Sequence, residues 1–115
     1  MFWSIDPAAP APLHEQIASC VRGALDRGEL EPGERMPPAA ELAVALQVNP
    51  NTVLHAYRRL RDDGVLEFRR GRGVKVSDDA LARGRVVEAA RQLMILGRAY
   101  GYTPAALAAL IEELG

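Results

Sequence analysis

Arg69, Arg70 and Arg72 crowd a stretch that also holds Gly71 and is followed by Gly73. Guanidinium groups this close repel one another unless an anion is near, and each presents a planar fork of N–H donors that fits phosphate oxygens. On a glycine-containing hairpin tip, such a cluster suits the minor groove of double-stranded DNA or its flanking phosphates. A second constellation lies just upstream, where Asn49-Pro50 opens a helix whose outward set is Asn51, Thr52, His55, Arg58 and Arg59. Asn51 can make the paired hydrogen bonds that read adenine, and Thr52 can donate to a phosphate or a base. The first amides of that helix favour a phosphate. The plain account of the same residues is a solvated face with Asn49 and Thr52 as caps; the neighbouring arginine tip favours the DNA account. His55 reads more simply as a polar surface residue than as a pH sensor. Leu54 faces either a thymine methyl or the preceding helix.

Catalytic chemistry finds no support. Glu112-Glu113 and Asp78-Asp79 are adjacent pairs, which point to different sides of a helix and do not act together on one substrate. Asp78-Asp79 is better placed as favourable charge at a helix N-terminus. His14 and His55 have no evident partners, and Gly71-Arg72-Gly73 lacks the spacing and following helix of a phosphate-binding loop. Cys20, the one cysteine, reads as a small buried thiol; it has no second thiol for a disulfide or a zinc site. No enzyme, cofactor or metal is expected.

The charge distribution agrees with the DNA account. The net charge is only −1, which argues against a protein that coats nucleic acid indiscriminately. Residues 1 to 53 carry three basic and seven acidic side chains, whereas residues 54 to 75 carry seven basic and three acidic. A local stripe of that kind attracts phosphates even on a slightly acidic molecule. With 115 residues, 49% hydrophobic and 25% charged, the chain fills one core with little left for a catalytic domain. No apolar run approaches ~18 residues and no signal peptide is evident, so a cytoplasmic protein without membrane contact is expected.

The elements that must hold these groups follow from periodicity. Residues 1 to 11, with Pro7 and Pro10, read as an extended arm. Apolar positions 13, 17, 20, 21, 24 and 25 predict a helix from about 12 to 27. Arg35-Met36 leaves room for a very short extended piece, and Ala39 to Leu46 predicts a short second helix. Asn49 as cap and Pro50 as first residue begin the third, with Val53, Ala56, Tyr57 and Leu60 on its inner stripe. Alternation over 65–69 and 74–76 around the glycines predicts a two-stranded hairpin. The fold class is mainly α with a small β hairpin, a winged helix-turn-helix over 12–76. Two more helices follow in 77–115, the first of roughly 20 residues.

The strings Pro12-Leu13-His14-Glu15-Gln16-Ile17, Gly28 to Gly33, Val48-Asn49-Pro50-Asn51-Thr52-Val53, Ala56 to Leu60 and Gly64 to Gly73 occur in an order that resembles the winged-helix domain of GntR-family transcription regulators. The tail, from Leu96-Gly97 through Thr103-Pro104 to Leu114, is similar to the YtrA-type subgroup, in which only two helices follow the wing. The resemblance implies a homodimer that binds operator DNA. It also marks departures: Pro38 and Ala40 stand where the family usually has a capping serine and a DNA-contacting arginine. Leu54 stands where many members are basic, and Val74 and Lys75 replace a threonine and an aromatic.

The two tail helices carry an apolar band through Val86, Val87, Ala90, Leu93, Met94, Leu107, Leu110, Ile111 and Leu114. A helical hairpin that small cannot cover both stripes alone, so pairing about a twofold is expected. Such pairing presents two winged domains to two half-sites and raises affinity by effective concentration. The expected function is a homodimeric repressor that reads a pseudo-palindromic operator, its contacts Asn49, Asn51, Thr52, His55, Arg58, Arg59, Arg69, Arg70, Gly71 and Arg72. The rival accounts are a winged-helix module that binds protein, and a sensor that takes a small apolar ligand near Met94, Tyr100 and Tyr102. No effector can be named from the sequence.

Overall fold

The computed structural model describes residues 3–115, and the chain divides into two compact units, Met1–Gly84 and Arg85–Gly115. In the first unit α1 (Leu13–Asp26) buries Ile17, Ala18, Val21, Ala24 and Leu25, close to the stripe that the spacing predicts. Helix α2 (Ala39–Leu46) buries Leu42 and Ala43, and α3 (Pro50–Asp62) buries Val53, Ala56, Tyr57 and Leu60. Both α1 and α2 pack on α3, so the third helix is held from two sides. Tyr57 is fully covered, and its hydroxyl donates to the Pro37 carbonyl at 2.7 Å. That bond satisfies a group that would be costly to bury alone, and burial pushes the phenol's pKa up.

The N-termini of α2 and α3 differ as the residues require. Pro38 precedes α2 and offers no side-chain cap, whereas Asn49 Oδ1 accepts the Asn51 amide at 2.8 Å and caps α3. The turn between them passes through Gln47, which stands at φ +58° in the left-handed region. Among the described residues it is the one non-glycine there.

The wing is an antiparallel pair, β1 (Leu66–Arg69) and β2 (Gly73–Val76), with Leu66 opposite Val76, Glu67 opposite Lys75, Phe68 opposite Val74 and Arg69 opposite Gly73. Because side chains alternate, Leu66, Phe68, Val74 and Val76 share one face and Glu67, Arg69 and Lys75 the other. Leu66 and Val76 join the core. The short extended piece at 33–36 adds to β2: Gly33 donates to Val76, Val76 to Glu34 and Met36 to Val74, each at 2.8 Å. At the tip the Arg72 amide donates to the Arg69 carbonyl at 2.9 Å, and Gly71 takes φ +75°, which a side chain would oppose.

The N-terminal segment is not a free arm. From Trp3 on it lies along α1, with Trp3 and Ile5 against the core. Gln16 fastens it: Oε1 accepts the Asp6 amide at 2.7 Å, and Nε2 donates to the carbonyls of Asp6 and Ala11 at 2.9 and 2.8 Å. The first two positions of the expected arm, Met1 and Phe2, lie outside the described residues. Cys20, expected within the core, is only half-buried, with Sγ 3.9 Å from the Ser4 carbonyl oxygen. Its surroundings still raise the thiol pKa, chiefly by desolvation.

Helix α4 (Ala80–Ala99) enters the second unit, where α5 (Pro104–Leu114) completes a helical hairpin. Thr103 Oγ1 accepts the Ala106 amide at 3.1 Å, the cap expected from Thr103-Pro104. A Cβ at Gly97 would stand 2.8 Å from Leu107 Cδ1, so the absence of a side chain lets Leu107 seat there and become buried. Among the described residues no helix is long and apolar enough to cross a membrane.

Candidate nucleic-acid interface

The fold brings the predicted residues to two places, the exposed side of α3 and the wing. On α3, Asn51 and Arg58 are exposed and Thr52 is half-buried. Asn49 spends its side chain on the cap, and the Thr52 amide donates to the Asn49 carbonyl at 2.9 Å. The leading amides expected to attract a phosphate therefore already have partners within the chain, so positive charge on this helix comes from its arginines.

Those arginines are not equivalent. Arg59, expected among the outward residues, is half-buried with Nε 3.8 Å from Asp63 Oδ2, an oxygen that also accepts from Arg22 Nη2 at 3.4 Å. Asp63 is buried, so this group anchors the C-terminal end of α3 to α1 and draws Arg59 toward the core. Arg61 lies over the Phe68 ring at 4.7 Å and pairs with Asp62 at 3.2 Å, linking α3 to the wing.

His14 and His55, without evident partners in the sequence, are partners of each other. Their rings stack with centroids 3.8 Å apart and planes inclined by 16°. The Arg22–Asp63 contact lies eight residues further along both helices, so α1 and α3 run in the same sense. The stack ties the N-terminal half of α3 to α1, while His55 remains exposed.

In the wing, Arg69 Nη2 donates to Glu67 Oε2 at 3.1 Å, and Lys75 Nζ lies 3.6 Å from the same oxygen. The Arg69 hydrogen bond, with the nearby charges of Lys75 and Arg69, holds the Glu67 pKa below the usual carboxylate range. Both partners are well exposed, and solvent screening leaves pairs of that kind weak. A phosphate can therefore displace Glu67 at little cost. Among the described residues no carboxylate pairs with Arg58, Arg70 or Arg72, and all three are exposed. Arg69, Arg72 and Lys75 line one open recess of about 400 Å³ with Gly33 and Arg35. Arg35 was missed by sequence reading because it lies far from the hairpin in the chain. Pairing of the 33–36 piece with β2 is what delivers it.

Of the predicted dimerisation residues, Val86, Met94, Ile111 and Leu114 are exposed, Ala90 is exposed, and Val87, Leu93 and Leu110 are half-buried. Leu107 is covered inside the hairpin, so its side chain is used within the chain. Ile95, Leu96 and Tyr100 are also exposed, and the predicted band did not include them.

Three helices, the tight turn between the second and third, and a basic two-stranded wing define a winged helix-turn-helix. The family described as bacterial regulatory proteins, gntR family, matches residues 13–76. This chain belongs to the GntR family and is a DNA-binding transcription regulator, in a family of regulators rather than enzymes. It is 37% identical over 92 residues to the HTH-type transcriptional repressor YtrA of Bacillus subtilis, covering 77% of this chain and 71% of that one. The solved YtrA from Sulfolobus acidocaldarius, a GntR-family transcription factor, is 33% identical with a TM-score of 0.64, covering 79% of this chain and 96% of that one. The fold is also that of the AraR DNA-binding domain solved with operator ORX1, at 22% identity and TM-score 0.58, covering 64% of this chain and 92% of that one.

Proposed function

We propose that the chain is a cytoplasmic, homodimeric repressor that reads a pseudo-palindromic operator. The helix from Pro50 enters the major groove with Asn51, Thr52 and Arg58 toward base edges and phosphates, and the wing around Gly71 lies on the adjoining minor groove. The observation that carries this reading is the wing tip, where Arg70 and Arg72 are exposed and have no carboxylate partner among the described residues. Charges left in that state gain most from a polyanion. The homodimer is supported by the exposed apolar residues of Arg85–Gly115, with Ile111 and Leu114 open to solvent.

Selection of bound duplexes from a random pool, followed by anisotropy titrations over a salt series, tests the reading. Enriched half-sites should recur at a fixed spacing near a helical turn or its multiples. Arg70→Ala and Arg72→Ala should each weaken binding and reduce the salt slope by about one. Asn51→Ala should relax sequence preference with a smaller loss of affinity. Arginine variants that bind as the parent does refute the DNA face. The double change Ile111→Asp with Leu114→Asp should halve the mass in sedimentation, and an unaltered mass refutes the proposed pairing surface.

A further inference from the structure

We propose that Arg35 clamps the wing tip and, with Arg69, Arg72 and Lys75, forms a ready seat for one backbone phosphate of DNA. The inference rests on the DNA-binding reading above and adds to it a residue from outside the hairpin. Arg35 pairs across the sheet with Lys75, so its side chain emerges on the face that also bears Lys75, Glu67 and Arg69. From there Nε and Nη2 both donate to the Arg72 carbonyl, at 3.1 and 2.5 Å. Two N–H groups of one rigid fork on a single acceptor fix both its distance and its direction. The guanidinium also lies over Gly73, with Nε 3.7 Å from where a Cβ would stand. The tip is thus held from the 33–36 piece as well as by its own turn.

The clamp leaves three of the five guanidinium N–H groups of Arg35 uncommitted. The recess of about 400 Å³ into which these residues converge is lined by Gly33, Arg35, Arg69, Arg72 and Lys75. Its acidic neighbours are Glu67, against Arg69 and Lys75, and Asp78, 3.9 Å from Lys75. Among the described residues four cations face two exposed carboxylates, which keeps the recess positive and leaves Arg35 and Arg72 without a counter-ion. A tetrahedral anion with oxygens in several directions matches donors that arrive from β1, β2, the 33–36 piece and the tip better than a planar carboxylate does. Pre-ordering matters because a tip already fixed loses less conformational entropy when the DNA arrives.

Arg35→Lys and Arg35→Ala separate the two parts of the proposal. Lysine keeps the charge and loses the two-pronged bond, whereas alanine loses both. Anisotropy against a random-sequence duplex over a salt series is combined with amide hydrogen exchange at Arg72 and Gly73. Arg35→Ala should bind about tenfold more weakly, with the salt slope reduced by about one. Arg35→Lys should keep the slope, yet lose about three- to fivefold in affinity because an ammonium cannot reproduce the fork. Exchange at Arg72 and Gly73 should quicken several-fold in both variants. An Arg35→Lys protein that binds and exchanges like the parent overturns the clamp, and an unchanged slope in Arg35→Ala overturns the seat. Inorganic phosphate is the second arm. If it slows wing exchange in the parent while duplex binding ignores Arg35, the seat belongs to a small phosphate and the assignment to DNA fails. A parent that binds no duplex refutes the proposed function itself, and exchange in the variants then judges the clamp separately. If the alanine variant does not fold, the lysine variant carries the test.

Discussion

The two units of this chain bury their apolar residues to very different degrees. Met1–Gly84 covers Ile17, Val21, Val53, Tyr57, Leu60, Val65 and Val76 completely. In Arg85–Gly115 Leu107 is the one large apolar side chain among the described residues to be buried, while Val86 is 68%, Tyr100 77% and Leu114 79% exposed. A hairpin of two helices has too little interior to hide both of its stripes. The winged unit therefore draws its order from its own packing, and the tail unit presents a surface that gains stability when something covers it. The two parts of the chain thus have different physical needs, which is what the proposed division between DNA reading and subunit pairing rests on.

Substitutions at four positions break or sharpen that contrast. Tyr57→Ala should have the largest effect, about 3–5 kcal/mol, since it empties a fully covered site and removes the donor to the Pro37 carbonyl. Denaturant unfolding reads it, and a small midpoint shift would mean that the winged core is less closed than it looks. Gly97→Val comes next at about 1–3 kcal/mol, because its Cβ meets Leu107. Its melting should disturb the tail helices while tertiary signals from the winged unit persist. His55→Ala should cost about 0.5–1.5 kcal/mol through the lost stack on His14, with His55→Phe recovering most of it. Equal losses for both variants would show that the stacked geometry contributes nothing.

Glu67→Gln should have the smallest effect, a gain in duplex affinity of about two- to threefold as Arg69 and Lys75 lose an internal competitor. Acid titration gives an independent reading of the same pair. The Glu67 pKa is lowered in the fold, so its ion pairs help above the ordinary carboxylate range and are lost as pH falls through the lowered value. The difference between parent and Glu67→Gln should vanish on that acid side, and a difference that grows there would contradict the pairing.

Most of the fold was legible because its signals are local. Periodic apolar positions gave all five helices, Asn49-Pro50 and Thr103-Pro104 marked two starts, and the glycines at 71 and 73 marked the wing. The candidate site was legible only in outline. Arginine clustering pointed to the wing, but which cations stay available depends on where carboxylates fall. Spacing offered that signal: Arg59 and Asp63 are one helical turn apart, and Glu67 and Arg69 share a strand face. The His14–His55 stack and the Arg35 clamp were hidden for a different reason. Each joins residues that approach only when α1 packs on α3, or when the 33–36 piece pairs with β2, and no local pattern encodes such distances.

Gln47 holds the bend between α2 and α3 in a backbone shape that glycine adopts without opposition. A left-handed residue with a side chain costs about 1–2 kcal/mol, part of which a glycine would return to its own greater freedom when unfolded. The bend is thus a point of mutational slack. A single change there would make the domain sturdier without touching the arginines, and a sturdier domain tolerates more drift on its DNA-reading surface before it ceases to fold.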